Sequence, residues 1–334
     1  MPDYLLLRSP SANRVYAGEA ATLSVAELEI TAPFVSGAAD AEIAGVGYLG
    51  FAADELGEAA LATVASQSTA FALFERSGDL LRPVALPKVD VLDDDLVTIP
   101  KYQGKTNEQF TRLLLNVTLA AVTREPTGPR QILDPMAGRG TTLSTALLAG
   151  HEGYGVEADV KAFEQMAAFY TTWLRRKRIK HKAGTTPVRR DGKAIGKRFD
   201  ATVGTAAGEL GVVAFTGDTR NSADLFGKKK FDAVVVDAPY GVVHGSSTDV
   251  HGTAGKRDRT PAGLLRQAIP VWAGQLMHGG ALGLSWNTLG MPREDLAEVL
   301  GHAGLVVREG GAWERFAHRV DSSIRRDLIV ATKP

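Results

Sequence analysis

A chain of 334 residues exceeds the size at which a single hydrophobic core stops growing, so two units are expected, the smaller one N-terminal. Its 44% hydrophobic and 23% charged residues are the balance of an ordinary globular protein, which argues against a disordered or fibrous chain. The absence of cysteine excludes a disulfide framework, a thiolate zinc site and a cysteine nucleophile, and a formal net charge of zero leaves any attraction to polyanions to local charge.

The opening MPDYLLLRSP has a four-residue apolar run without a charged leader or cleavage pattern, and no apolar span reaches membrane length; a cytoplasmic protein without membrane attachment is expected. Tyr4 to Leu7 reads as a short strand. From Thr22 a helix is predicted, with Ser24 as N-cap and Glu27 as its capping-box partner. A strand near Val46–Ala52, helical composition over Glu55–Ala65 and a strand over Ala70–Glu75 complete a small α+β unit of residues 1–95. The acidic stretch beginning at Asp90 marks the junction, and a second domain is expected over 98–334.

Thr106 to Val122 has the spacing of an amphipathic helix, stopped by Glu125-Pro-Thr-Gly-Pro-Arg. Seven strands are then predicted, at Gln131–Leu133, Gly153–Glu157, Val212–Thr216, Ala233–Asp237, Ala281–Trp286, Val306–Glu309 and Leu328–Thr332. Helices near 141–149, 160–178, 262–278 and 293–302 alternate with them. That alternation predicts an α/β fold, a Rossmann-like, seven-stranded doubly wound sheet. Two stretches interrupt it. Residues 175–198 are densely basic with the single acid Asp191, and read either as a track for a phosphate backbone or as a solvated, disordered insertion. Residues 241–260, rich in Gly, Ser, Thr and charge, read either as a lid that orders over substrate or as a simply flexible loop.

The sharpest chemical signal is Ile132-Leu-Asp-Pro-Met-Ala-Gly-Arg-Gly-Thr-Thr-Leu: a strand ending in Asp134, a turn holding Gly138 and Gly140, and a helix opening at Thr141. Glycines there let a ligand approach the backbone, and the helix N-terminus adds free N–H donors. No Gly-Lys-Ser/Thr follows and the G-x-G-x-x-G spacing is absent, so neither a P-loop nor a dinucleotide fingerprint is present. An acid at the start of the turn suits a cationic amino group better than a pyrophosphate, which favours S-adenosylmethionine over NAD. A turn with glycines for geometry alone is the competing reading.

Glu157 ends the second strand, where an acid can hold ribose hydroxyls, with Asp159 as cap of the next helix. Asp218 follows the third strand, in position to accept from an adenine amino group. The fourth strand runs into Asp237-Ala238-Pro239-Tyr240. A nitrogen conjugated to a ring or carbonyl is a poor nucleophile, so its N–H groups must be held by acceptors while its lone pair is aimed. Asp237 and the Ala238 carbonyl are such acceptors, Pro239 fixes the turn, and Tyr240 offers a flat face to a base. The seven histidines show no ligand spacing, and no metal site is predicted.

Asp134 to Thr141 resembles motif I of class I methyltransferases, and Asp237-Ala-Pro-Tyr-Gly is similar to the Asp-Pro-Pro-Tyr motif IV of amino-methyltransferases. With Lys101-Tyr-Gln-Gly-Lys-Thr-Asn107 and His318-Arg-Val-Asp-Ser-Ser-Ile-Arg-Arg-Asp327, residues 98–334 resemble the tRNA guanine-N2 methyltransferases of archaea and eukaryotes. The resemblance implies methyl transfer from S-adenosylmethionine to guanine N2 in tRNA. It implies a cofactor set of Asp134, Ala137, Gly138, Gly140, Thr141, Glu157, Asp218 and Asp237, and a substrate set of Asp237, Ala238, Pro239 and Tyr240. Ala238 stands where the family's motif has its first proline, and 1–95 is shorter than a complete RNA-binding THUMP domain with its accessory fold. DNA adenine or cytosine amino-methylation, protein-glutamine methylation and a non-catalytic nucleic-acid-binding scaffold are the rival readings. His318, Arg319 and Asp321 are further candidates, the last two equally readable as braces for the final strand pair.

Overall fold

The structure is a computed structural model that describes residues 1–11, 14–102, 105–190, 193–206, 208–239 and 260–334. The chain opens with β1 (Asp3–Arg8), α1 (Arg14–Thr31), β2 (Ser36–Ile43), β3 (Val46–Ala52), α2 (Glu58–Ala65), β4 (Ala70–Ser77) and β5 (Leu80–Val84). The five strands form an antiparallel sheet in the order β2-β3-β1-β4-β5. With β1 between β3 and β4, this is the split βαβ arrangement. Tyr4, Leu6, Leu49, Phe51 and Leu73 share a core with Val25 and Leu28 of α1 and Val64 of α2. The sequence pattern shows neither β2 nor β5, because both are edge strands with exposed or half-exposed side chains and no apolar alternation.

Helix α1 corrects the predicted capping box. It begins at Arg14, so Ser24 and Glu27 both lie inside it. Ser24 Oγ sits 2.9 Å from Thr69 Oγ1, while the fully buried Glu27 carboxylate accepts from Ser68 N at 3.0 Å and Asn116 Nδ2 at 2.7 Å. These polar residues tie the helix to its neighbours. An Ala-rich first half, with little polar–apolar contrast, conceals the true start.

The second part contains α3 (Asp95–Thr98), α4 (Glu108–Ala120), β6 (Gln131–Asp134), α5 (Thr141–Leu148), β7 (Glu152–Glu157), α6 (Val160–Arg176), β8 (His181–Arg190), β9 (Lys193–Thr205) and β10 (Gly208–Thr216). It continues with α7 (Ser222–Phe226), β11 (Phe231–Asp237), α8 (Pro261–Gln275), β12 (Leu276–Asn287), α9 (Arg293–His302), β13 (Val306–Val307), β14 (His318–Arg319) and β15 (Arg325–Thr332). The sheet order is β13-β15-β12-β11-β6-β7-β10-β9-β8, with β14 added on β15.

Strands β10, β7, β6, β11 and β12 are parallel, and β15 inserts antiparallel between β12 and β13. These are the seven predicted strands, in a Rossmann-like sheet. From β6 the chain winds outward to β7 and β10, then crosses back to β11 and β12. The order therefore reverses between β6 and β11, and the crevice outside their C-terminal ends is where such sheets bind ligands.

Among the described residues three strands of this sheet exceed the expected seven. Besides β14, the basic stretch read as a possible disordered insertion runs from the end of α6 through β8 into β9, a hairpin that continues the sheet beyond β10. Its anchor lies past the basic run: Phe199, Ala201 and Val203 alternate on β9 and are buried with Phe163, Tyr170 and Trp173 of α6.

The acidic junction is itself packed on this second sheet. Leu92, Leu96 and Val97 join the core of Leu143, Leu147 and Phe163, and Trp173 Nε1 donates to Asp95 Oδ1 at 2.9 Å. Helix α1 contributes a second face to the same part of the molecule, where Tyr16, Ala20, Leu23 and Ala26 are buried with Phe110, Leu113 and Leu114 of α4. No helix among the described residues is long and apolar enough to cross a membrane.

Candidate active site

The glycine loop between β6 and α5 is built around two carboxylates. Asp134, 3% exposed, accepts from Met136 N at 3.0 Å and from the Thr142 side chain, so it braces the turn that follows it. Burial pushes its pKa up to about 7, the loop's hydrogen bonds oppose the rise, and the nearby charges of Asp237 and Glu157 add to it. Glu157, at the end of β7, accepts Gly138 N–H at 2.6 Å on one oxygen and Asp159 N–H at 2.6 Å on the other. Burial raises its pKa too. The expected ribose acid thus also clips the glycine loop to the second strand. Ala158 N–H is a third backbone donor to Glu157, and since an ionised carboxylate accepts about four hydrogen bonds, room remains for one hydroxyl group.

Two glycines in this loop have distinct physical reasons. Gly140 has φ +83°, and a Cβ there would lie 2.9 Å from Met166 Cγ and Sδ, so the residue lets α5 approach α6. Gly138 has φ +54° and a Cβ there would meet nothing within 4 Å; its absence leaves backbone open to a ligand. Thr141 opens α5, with its Oγ1 3.0 Å from the Tyr102 hydroxyl, and the Arg139 guanidinium lies 4.4 Å from the centre of the Tyr102 ring. Ala137 is placed differently. Its N–H donates to the Val156 carbonyl at 2.9 Å and its methyl is in the core, so it supports the loop from beneath.

Asp237 ends β11, next to β6, with Thr106 Oγ1 donating to its Oδ2. Ala238 N–H donates to the Ser285 carbonyl at 2.8 Å, which folds the turn onto β12, and Pro239 is exposed. The buried Ser285 hydroxyl beside it has no hydrogen-bond partner among the described residues. Tyr240 and the predicted lid or loop at 241–260, up to 259, lie outside the described residues.

Asp218 stands past the end of β10, as expected, and there caps a short 3₁₀ turn. It accepts Arg220 N–H at 2.9 Å and pairs with the Arg220 guanidinium through both oxygens. Its carboxylate is therefore already in an ion pair at the strand end. The buried His318 has Nδ1 2.8 Å from the Phe316 carbonyl and its ring 5.5 Å from that of Phe110. Arg319 Nε donates to the Asp321 carbonyl at 3.1 Å, and Asp321 accepts from Ser323, which makes these two parts of a local turn.

The structure thus gathers Asp134, Gly138, Gly140, Thr141, Glu157 and Asp237 around neighbouring strand ends. It adds Tyr102 and Thr106, which the sequence offered only within the Lys101–Asn107 segment and without a role. Thr106 meets Asp237 across 131 residues, and no local pattern signals such a contact. Among the described residues no group of three or more acidic or histidine side chains could hold a metal ion.

No protein-family model and no curated protein matches the chain. Solved structures do. TrmN from Thermus thermophilus aligns over 100% of both chains at 13% identity with a TM-score of 0.46. Precorrin-6y C5,15-methyltransferase from Geobacter metallireducens aligns with 74% of this chain and 98% of its own at 14% identity, TM-score 0.40. Magnesium protoporphyrin IX methyltransferase from Synechocystis, solved with bound SAH, aligns with 70% of this chain and 90% of its own at 15% identity, TM-score 0.40.

Proposed function

We propose that the chain is an S-adenosylmethionine-dependent N-methyltransferase acting on RNA, with the exocyclic N2 of guanine in tRNA as the acceptor. The observation that carries this reading is the pairing of the Asp134 glycine loop with the Asp237-Ala-Pro turn at the adjacent ends of β6 and β11, where the strand order reverses. The loop fits the cofactor. Asp134 is a buried acid with a raised pKa, suited to a cationic amino group, and Gly138 leaves backbone exposed above it. When bound, S-adenosylmethionine supplies an electrophilic methyl carbon on a sulfonium that leaves as a neutral thioether.

The protein's share is orientation and charge. Asp237 accepts an N–H of the target amine, which aims the nitrogen lone pair, and Thr106 fixes the rotation of that carboxylate. As the N–C bond forms, positive charge grows on the nitrogen beside Asp237, and the departing proton has an acceptor at hand. Guanine in tRNA is favoured by the resemblance of 98–334 to enzymes with that acceptor.

The test is transfer of labelled methyl from S-adenosylmethionine to unmodified tRNA, with nucleoside mass spectrometry of the product. N2-methylguanosine is expected from the native chain, and Asp237→Ala is expected to lose about 100-fold or more in rate while staying folded. A folded Asp237→Ala protein with full activity would sink the proposal. Transfer to duplex DNA or to protein glutamine alone would move the acceptor.

A further inference from the structure

The run of cationic residues at 175–198 is continuous in sequence, yet the fold divides it between opposite ends of the second sheet. Helix α6 carries Arg175 and Arg176 away from the site, and the chain turns through Arg178 and Lys180 into β8, whose first residue His181 pairs with Val203. Val203 in turn pairs with Leu210, at the start of β10. That end of the sheet faces away from Asp134 and Asp237. At the other end, Phe215 of β10 pairs with Arg198, and Lys197 N–H donates to Thr216 Oγ1 at 2.8 Å.

Strand β10 stops at Thr216, whereas β8 and β9 remain paired with each other out to Arg190 and Lys193. At about 3.3 Å per residue, the four residues from Lys193 to Gly196 carry the hairpin roughly 13 Å past the edge on which the site lies. Residues 185–198 hold five cationic residues, Arg189, Arg190, Lys193, Lys197 and Arg198, against one acid, Asp191. Lys197 and Arg198, nearest the sheet, are paired with Glu164 and Asp200. Arg189, which has an interaction of its own, and Lys193 lie farther out and are exposed to solvent.

We propose that this overhanging hairpin is an RNA-backbone arm: Arg189 and Lys193 contact phosphodiesters flanking the target nucleotide on the β10 side of the site, while the cations at the far end of the run take no part. The inference rests on the RNA reading above. A sheet with net cationic charge at one projecting tip suits phosphate contacts, which position a nucleic acid without reading its bases.

The experiment compares the native chain, the double variant Arg189→Glu/Lys193→Glu at the tip, and Arg175→Glu/Arg176→Glu at the far end. Each is titrated with an unmodified tRNA transcript over a series of salt concentrations, and separately with S-adenosylmethionine. The tip variant is expected to bind the transcript at least tenfold more weakly, with the slope of log Kd against log salt reduced by between about one and two. The far-end variant should change Kd less than twofold, and cofactor affinity should be equal in all three. Equal losses in both variants, or none at the tip, would overturn the arm while leaving RNA as substrate. A native chain that binds cofactor but no RNA would overturn both readings.

Discussion

At Asp134 the chemistry of one carboxylate becomes measurable. Its pKa in the folded chain, about 7, lies above the roughly 3.9 of an exposed aspartate, so between those values the native state holds a proton that the unfolded chain has released. Its contribution to stability is present below about pH 4 and is lost as pH rises through about 7. A cationic ligand reverses the balance, because it binds the ionised form and displaces the proton. Affinity for S-adenosylmethionine should therefore rise up to about tenfold per pH unit below pH 7 and flatten above it. It should fall again once the ligand's α-ammonium deprotonates near pH 7.7–8.0. Titration calorimetry across this range checks the profile, and an Asp134→Asn protein should lose its acid limb; an unchanged limb would mean that another group titrates. Residues of this kind are legible in sequence because strand, acid, glycines and helix are contiguous. Ala137, in the same run, was not separable from its neighbours, since only the fold reveals that its N–H is bonded to Val156. Tyr102 and Thr106 stand in the quoted Lys101–Asn107 segment, but their roles were hidden for the opposite reason: their partners lie far away in the chain.

At the scale of elements, periodicity located the parallel strands and the helices between them, which have buried faces and hence a pattern. It failed where burial is absent, at β2, β5 and the outer half of the hairpin, and at α1, which is covered on two sides. That helix is where packing overrode local signals. Glu27 looked like a capping residue and instead fastens α1 to both the turn before β4 and α4, through Ser68 and Asn116. Replacing it with alanine removes the acceptor of the half-buried Ser68 N–H and hydroxyl and one of the two acceptors of Asn116 Nδ2, which keeps the Ser66 carbonyl; hydrogen bonds to a charged group are worth about 1.5–3 kcal/mol. A loss on the order of 3 kcal/mol is expected for Glu27→Ala, read as a lower urea midpoint with an unchanged slope. A loss below about 1 kcal/mol, the size of an exposed cap, would restore the capping reading.

For the whole molecule, the same helix decides how the two sheets unfold. Tyr16, Ala20, Leu23 and Ala26 of α1 share a core with α4, while its Val25 and Leu28 share one with β1, β3 and β4, so neither sheet can lose α1 without uncovering apolar surface. The segment from Leu92 to Val97 adds a second tie. The expected behaviour is one calorimetric transition, with van't Hoff and calorimetric enthalpies equal, although the sequence suggests separable units at 1–95 and 98–334. Cofactor binding then stabilises the entire chain: at 100 times its Kd, S-adenosylmethionine contributes about 2.7 kcal/mol, which for a chain of this size raises that single transition by about 4 °C. Two resolved transitions, only the second of which moves with cofactor, would show that α1 leaves one of its cores first and that the N-terminal sheet melts independently of the site.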